Sequence, residues 1–130
     1  MIDGDTARCL TSRNRQTGFV GTSKAPFYDW EWRKCATIFS RPNLIRLPDG
    51  RFIATVALTG EKNTTAVCWF DPKAGTLTKA AELSSTYAAT YSGLALDGGH
   101  LWVSHYGKKD GKMGIYLSQF KLPEPNRPIR

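Results

Sequence analysis

The sequence lacks closely spaced metal ligands, long apolar segments and helical periodicity. Its three cysteines, Cys9, Cys35 and Cys68, are too far apart for the C-x-x-C spacing that brings two thiolates onto one metal ion. We therefore predict no metal site and no cofactor. One disulfide with a free thiol, or buried unpaired thiols that behave as small apolar residues, both remain open. No apolar run approaches the roughly 20 residues that span a bilayer, so no membrane partner is expected.

The net charge of the chain indicates which classes of partner it favours. The 18 basic residues outnumber the 11 acidic residues and give a net charge of +7. This excess favours anionic partners such as nucleic acid, acidic lipid or a carboxylated sugar. The cations are scattered and never form a run of five or six, so the pattern is typical of a solvated surface, and no nucleic-acid partner is predicted.

Alternation of apolar and polar residues predicts consecutive antiparallel strands. Two apolar runs flank the turn Pro48-Asp49-Gly50, in which proline presets one dihedral angle and glycine accepts a positive φ. A third run and the start of a fourth follow, and then the pattern begins again. The predicted strands cover residues 43–47, 51–58, 65–70, 76–78, 91–96, 100–105 and 113–120, with two earlier ones near residues 17–21 and 30–33. Placing Leu47–Gly50 over Leu96–Gly99 gives a repeat of about 48 residues, which is typical of propeller blades.

The predicted fold class is all-β, a partial β-propeller of about two to three four-stranded antiparallel blades from a six-bladed parent. The chain would form one incomplete domain. Its predicted parts are the end of one blade at 1–39, one blade at 40–84, the last blade at 85–122 and a Pro-rich tail at 123–130, with further blades expected on the N-terminal side. A β-sandwich or a small closed barrel is the alternative. An open propeller would expose a blade face to water and should self-associate through it.

Loops that enter the innermost strands of a propeller share one rim with the loops between strands two and three. The repeat places Arg41 and Tyr91 at equivalent entries of adjacent blades, so both should face one pocket. The loops 60–64 and 106–112 would lie beside them, which adds His105 and Tyr106 as candidates for ligand binding. Four tryptophans could stack on sugar rings, although aromatic residues in strands more often fill the space between sheets.

Several segments resemble bacterial sialidase-like proteins with BNR repeats. They are residues 21–27 followed by Trp30 and Trp32, residues 41–51, residues 68–72 and residues 75–78, and the resemblance covers about residues 18–122. The Asp-box, a structural surface turn of that family, is retained as Ser23 and Trp30. Ala25 and Phe27 stand where aspartate and glycine would be.

The resemblance implies a glycoside hydrolase propeller of the exo-α-sialidase superfamily with a carbohydrate ligand, in particular an acidic sugar. It implies Tyr91 as the nucleophile and Arg41 as the ligand of the sugar carboxylate. A guanidinium can bind a carboxylate through two parallel hydrogen bonds, and a phenol is an established nucleophile in sialidases. Because the general acid and the other arginines would lie in further blades, the isolated chain is expected to be inactive.

A non-catalytic glycan-binding or scaffold propeller is the alternative function. It is favoured by Tyr87, Ala88 and Ala89, which occupy positions before Tyr91 where many relatives carry an acidic residue. The resemblance is compatible with an extracellular or periplasmic parent protein and does not fix the compartment.

Overall fold

The computed structural model describes residues 1–14, 17–58, 64–83 and 90–122, and all of its regular structure is antiparallel β-sheet. No helix with the length and hydropathy needed to cross a membrane occurs among these residues. The strands in chain order are β1 (Ile2–Asp3), β2 (Thr6–Arg13), β3 (Thr17–Lys24), β4 (Glu31–Arg46), β5 (Phe52–Leu58), β6 (Thr64–Asp71), β7 (Thr76–Glu82), β8 (Thr90–Asp97), β9 (His100–Lys109) and β10 (Lys112–Lys121).

The strand β4 joins two parts of the longer sheet. Strands β1 to β7 pair in chain order, and β8 to β10 form a separate sheet. Within β4, residues up to Ile38 pair with β3, whereas residues from Phe39 onward pair with β5. We call β1–β3 with the first half of β4 the first layer, the second half of β4 with β5–β7 the second layer, and β8–β10 the third layer. β4 changes partner between Ile38 and Phe39, within one continuous strand.

The second layer is covered on both faces. Phe52, Ala54 and Val56 of β5 pack in one apolar cluster with Val20 and Cys35 of the first layer. The intervening Ile53 belongs to a second cluster, which includes Leu101 and Val103 of the third layer. Because side chains alternate between the faces of a strand, β5 is buried over six consecutive residues. The three layers therefore pack face to face in chain order.

Turn chemistry explains where the strands of the second layer reverse. The predicted turn Pro48-Asp49-Gly50 is confirmed: Gly50 has a φ of 89°, and its amide donates to the carbonyl of Leu47 over 3.0 Å. At the next reversal the Asp71 carboxylate accepts a hydrogen bond of 2.8 Å from the amide of Lys73, and Gly75 has a φ of 66°. Both turns use a carboxylate and a left-handed glycine.

All predicted strands are present, and the structure adds β1 and β2. The loop predicted from Tyr106 to Lys112 is wrong, because β9 continues to Lys109 and β10 starts at Lys112. Only Asp110 and Gly111 form the turn, both in the left-handed region with φ of 51° and 76°. The other predicted rim loop, at residues 60–64, lies outside the described residues apart from Thr64, as do the boundary at 84–85 and the Pro-rich tail at 123–130.

Candidate functional site

The strands β4 and β8 carry similar irregularities. The register of β4 against β5 shifts between Ser40 and Asn43, and that of β8 against β9 shifts between Thr90 and Gly93. Within these bulges Arg41 has a φ of 52° and Tyr91 a φ of 56°. The left-handed region is unfavourable for residues with a Cβ, and such strain concentrates at functional sites. The bulges turn both side chains out of the regular alternation of their strands.

The structure brings Arg41 and Tyr91 together. The guanidinium carbon of Arg41 lies 5.6 Å from the centroid of the Tyr91 ring, within the range of a cation–π contact. Next to them, the side-chain amide of Asn43 donates a hydrogen bond of 2.6 Å to the carbonyl of Ser92, which ties the two bulges to each other. Tyr91 is nevertheless 82% exposed, so its phenol is accessible to a ligand.

A cavity of about 440 Å³ opens at this pair. It is lined by Leu10, Thr11, Arg41, Pro42, Asn43, Tyr91 and Ser92. The shared pocket predicted for Arg41 and Tyr91 is therefore present. Leu10 and Thr11 come from β2, a strand that was not predicted from the sequence, so one strand from each layer contributes to the cavity. Among these described lining residues there is a cation, a phenol and an amide, and no carboxyl group.

His105 is placed away from this cavity, between the layers. It is only 2% exposed, its Nε2 lies 3.0 Å from the hydroxyl of Ser118, and its ring centroid lies 5.8 Å from that of Tyr116. Its Nδ1 is buried without a hydrogen-bond partner. His105 is not among the residues that line the cavity, although β8–β9 pairing places its backbone across from the bulge at Tyr91 and Ser92.

Tyr106 points to the opposite side of the third layer from His105, because the two are neighbours on a continuous strand. It is opposite Ile115 of β10 on a partly exposed face, and it does not line the cavity either. Its backbone pairs with Thr90, one residue before Tyr91, so it lies beside the bulge in sequence register. Of the four predicted site residues, Arg41 and Tyr91 line the cavity, together with Asn43.

Burial lowers the pKa of His105 below its ordinary value of 6.5. The folded chain then binds a proton less readily than the unfolded chain, so the free energy of unfolding is highest above pH 6.5. It should fall as the pH decreases from 6.5 toward the depressed pKa, by at most about 1.4 kcal/mol per pH unit. Urea unfolding at a series of pH values from about 7.5 to about 5 measures this slope. The variant His105→Gln should reduce this dependence of stability on pH. An unchanged slope in that variant would show that His105 is not its source.

The segment after β3, where the sequence resembles an Asp-box, forms a turn. The hydroxyl of Ser23 donates a hydrogen bond of 2.5 Å to the carbonyl of Asp29. Phe27 has a φ of 67°, a backbone conformation that glycine adopts without strain. After the turn, Trp30 stacks on Trp32 with centroids 5.6 Å apart. Phe27 therefore occupies a backbone conformation that favours glycine.

A second, wider groove of about 880 Å³ runs along the first and second layers. Two of the arginines that line it make contacts within the protein. Arg51 covers the Trp69 ring at 4.5 Å and forms an ion pair of 2.6 Å with Asp49. Arg33 donates a hydrogen bond of 2.7 Å to the carbonyl of Lys73. The guanidinium of Arg51 therefore covers one face of the Trp69 ring at the edge of this groove.

The cysteines are free thiols. Cys35 and Cys68 are buried in the cluster between the first and second layers. Burial raises the pKa of the Cys35 thiol, and it raises that of Cys68 to about 12. Both therefore stay protonated and act as small apolar residues, which is one of the two alternatives that the sequence left open.

Comparison of the chain with models of protein families found no family that matches, and comparison with curated proteins found no relative.

Proposed function

We propose that the chain forms three blades of a sialidase-like β-propeller and binds an acidic sugar through Arg41 and Tyr91. The observation that carries the proposal is the contact of 5.6 Å between these residues at equivalent bulges of adjacent layers. Three layers that pack face to face, each contributing an inner strand to one cavity, support the propeller arrangement. The bulges keep both side chains at the cavity at the expense of backbone strain.

The chemistry of the pair suits a carboxylated ring. The Arg41 guanidinium can donate two parallel hydrogen bonds to a carboxylate, a geometry that a lysine cannot reproduce. The exposed Tyr91 phenol can donate a hydrogen bond to the sugar or stack on its apolar face. The net charge of +7 adds a general attraction for anions.

Cleavage of a glycoside requires more than this chain offers. Glycoside hydrolysis uses a general acid and, where tyrosine is the nucleophile, a base that activates it. The described lining residues include no carboxyl group. We therefore propose that the chain binds without cleaving, and that hydrolysis would need carboxyl groups from further blades. The alternative of a non-catalytic glycan-binding propeller is favoured by the same observation.

Binding can be measured by NMR titration of the chain with the methyl α-glycoside of N-acetylneuraminic acid. The C1 methyl ester of the same sugar is the ligand control, because it removes only the carboxylate charge. We expect the acid to bind more tightly than the ester. Arg41→Gln should weaken binding of the acid by about 10-fold to 100-fold, since a charge-assisted bidentate contact contributes roughly 1.5–3 kcal/mol.

The matched control variant is Arg46→Gln, which removes the same charge from the same strand. Arg46 forms an ion pair of 3.2 Å with Asp3 and does not line the cavity, so this variant should retain binding. Equal affinity for acid and ester, or equal losses in the two variants, would overturn the proposal. A fluorogenic sialoside should release no product with the chain alone. In a longer chain carrying further blades, turnover that Tyr91→Phe abolishes would exclude the non-catalytic alternative.

A further inference from the structure

Among the described residues, no other element covers one of the two faces of the third layer. Cross-strand pairing places Leu117 of β10 opposite Ser104 and Ile115 opposite Tyr106 on this face. We call it the third-layer face; its apolar members are Ala95, Trp102, Tyr106, Met113, Ile115 and Leu117. Ile115 is 77% exposed and Leu117 is 64% exposed. Side chains of this size and apolar character usually mark a surface that another element covers.

The opposite end of the stack has a corresponding face. On the first layer, Trp32 lies opposite Gly21 and Ile38 opposite Thr17, on the side turned away from the core residue Val20. We call it the first-layer face; its large apolar members are Phe19, Trp32 and Ile38. Trp32 and Ile38 are both at least half exposed. Both ends of the three-layer stack therefore carry exposed apolar side chains among polar ones such as Lys34 and Lys108, whereas both faces of the second layer are already covered.

We infer that two copies of this chain associate head to tail, with the third-layer face of each copy on the first-layer face of the other. The inter-layer contacts already present show how such a joint is made, because each pairs the apolar face of one sheet with that of the next. A single-chain stack leaves one complementary face of each kind. Two copies related by a two-fold axis cover both faces of each copy, and the assembly is then closed.

Two copies of three layers make six, which is within the range of about four to eight sheets at which propellers close. The association also completes the cavity. An inner strand from each of the three layers lines it in one copy, so a closed ring would bring a second Arg41 and Tyr91 pair to the same central space. This inference rests on the propeller arrangement of the proposed function, and it does not depend on a sugar ligand.

Sedimentation velocity of the full chain over a range of concentrations tests the inference. We expect a species with twice the 14.5 kDa mass of one chain. Ile115→Lys on the third-layer face and Ile38→Lys on the first-layer face should each convert it to monomer. Tyr28→Lys is the control, since Tyr28 is also an exposed large side chain but is not a member of either face. Far-UV circular dichroism establishes that each variant is folded.

Mixing distinguishes the modes of association. Together the Ile115→Lys and Ile38→Lys variants retain one intact joint, so their mixture should regain heterodimer that neither forms alone. A wild-type chain that is monomeric at all concentrations would overturn the inference, as would open assemblies that grow with concentration. An Ile38→Lys variant that remains a dimer would show joining through like faces and overturn it equally. A monomeric chain that still binds the acidic sugar would contradict the proposed dimer but not the proposed sugar-binding function.

Discussion

Replacing Phe39 by alanine is expected to lower the free energy of unfolding by about 3–5 kcal/mol, the usual range for a large aromatic residue removed from a core. Phe39 is fully buried, and it lies where β4 leaves the first layer and enters the second. Its ring therefore supports the one strand that connects the two layers. Since a domain of this size is stable by only about 5–15 kcal/mol, this loss is a large fraction of the total.

Urea unfolding followed by tryptophan fluorescence measures the effect. A loss of this size should lower the urea midpoint by roughly 1–5 M at the usual dependence of about 1–3 kcal/mol per M. Tyr28→Ala is the control, because it also removes an aromatic ring but from an exposed position. If Phe39→Ala lowered the urea midpoint no more than Tyr28→Ala does, the Phe39 ring would not stabilise the junction between the first and second layers.

Gly18 provides an independent check on the same site. A Cβ added there would lie only 2.1 Å from Cε1 of Phe39, so Gly18→Ala should destabilise the wild-type chain. In the Phe39→Ala background the ring is gone, and the added methyl group would enter the space it leaves. We expect the second substitution to be far less harmful there, or stabilising. Additive effects in this double-mutant cycle would mean that the two residues do not share the space.

The strands could be predicted from the sequence because alternation and turn chemistry agreed. Pro48-Asp49-Gly50 specified its turn directly, and β5 to β7 followed from it. Strand β2 was missed because its small and polar residues show no clear alternation. It is held by pairing with β3 and by Leu10, which packs against the buried cluster between the first and second layers. Tertiary contacts of this kind override local propensity and are not visible in a single segment.

The site was predicted in part. Arg41 and Tyr91 could be brought together from the repeat alone, since equivalent positions in adjacent sheets lie at the same end of the cavity. His105 and Tyr106 were assigned to it because a loop was expected to begin at Tyr106. The strand continues to Lys109 instead, so neighbouring side chains point to opposite faces, and they do not both face one ligand. The strained backbone at the bulges has no signature in the sequence, because neither residue is a glycine.

That strain leads to a prediction that separates stability from binding. At ordinary strand positions alanine stabilises a protein relative to glycine by roughly 0.5–1 kcal/mol. At Arg41 and Tyr91 the order should reverse, because a Cβ in the left-handed region costs about 1–2 kcal/mol and glycine avoids this cost. Tyr91→Gly should therefore be more stable than Tyr91→Ala, and Arg41→Gly more stable than Arg41→Ala. The exposed Ala95 on β8 is the control, since Ala95→Gly should destabilise.

Both glycine variants should nevertheless lose affinity for the acidic sugar, because they remove the guanidinium or the phenol from the cavity. A residue that makes the chain less stable than glycine would, and that is required for binding, is retained for what it contacts and not for the fold. Thermal unfolding of the four variants, with NMR titration of the same samples, measures the two quantities together. Alanine variants more stable than their glycine counterparts would show that the bulges carry no strain. Glycine variants that bind as the wild type does would remove Arg41 and Tyr91 from the site.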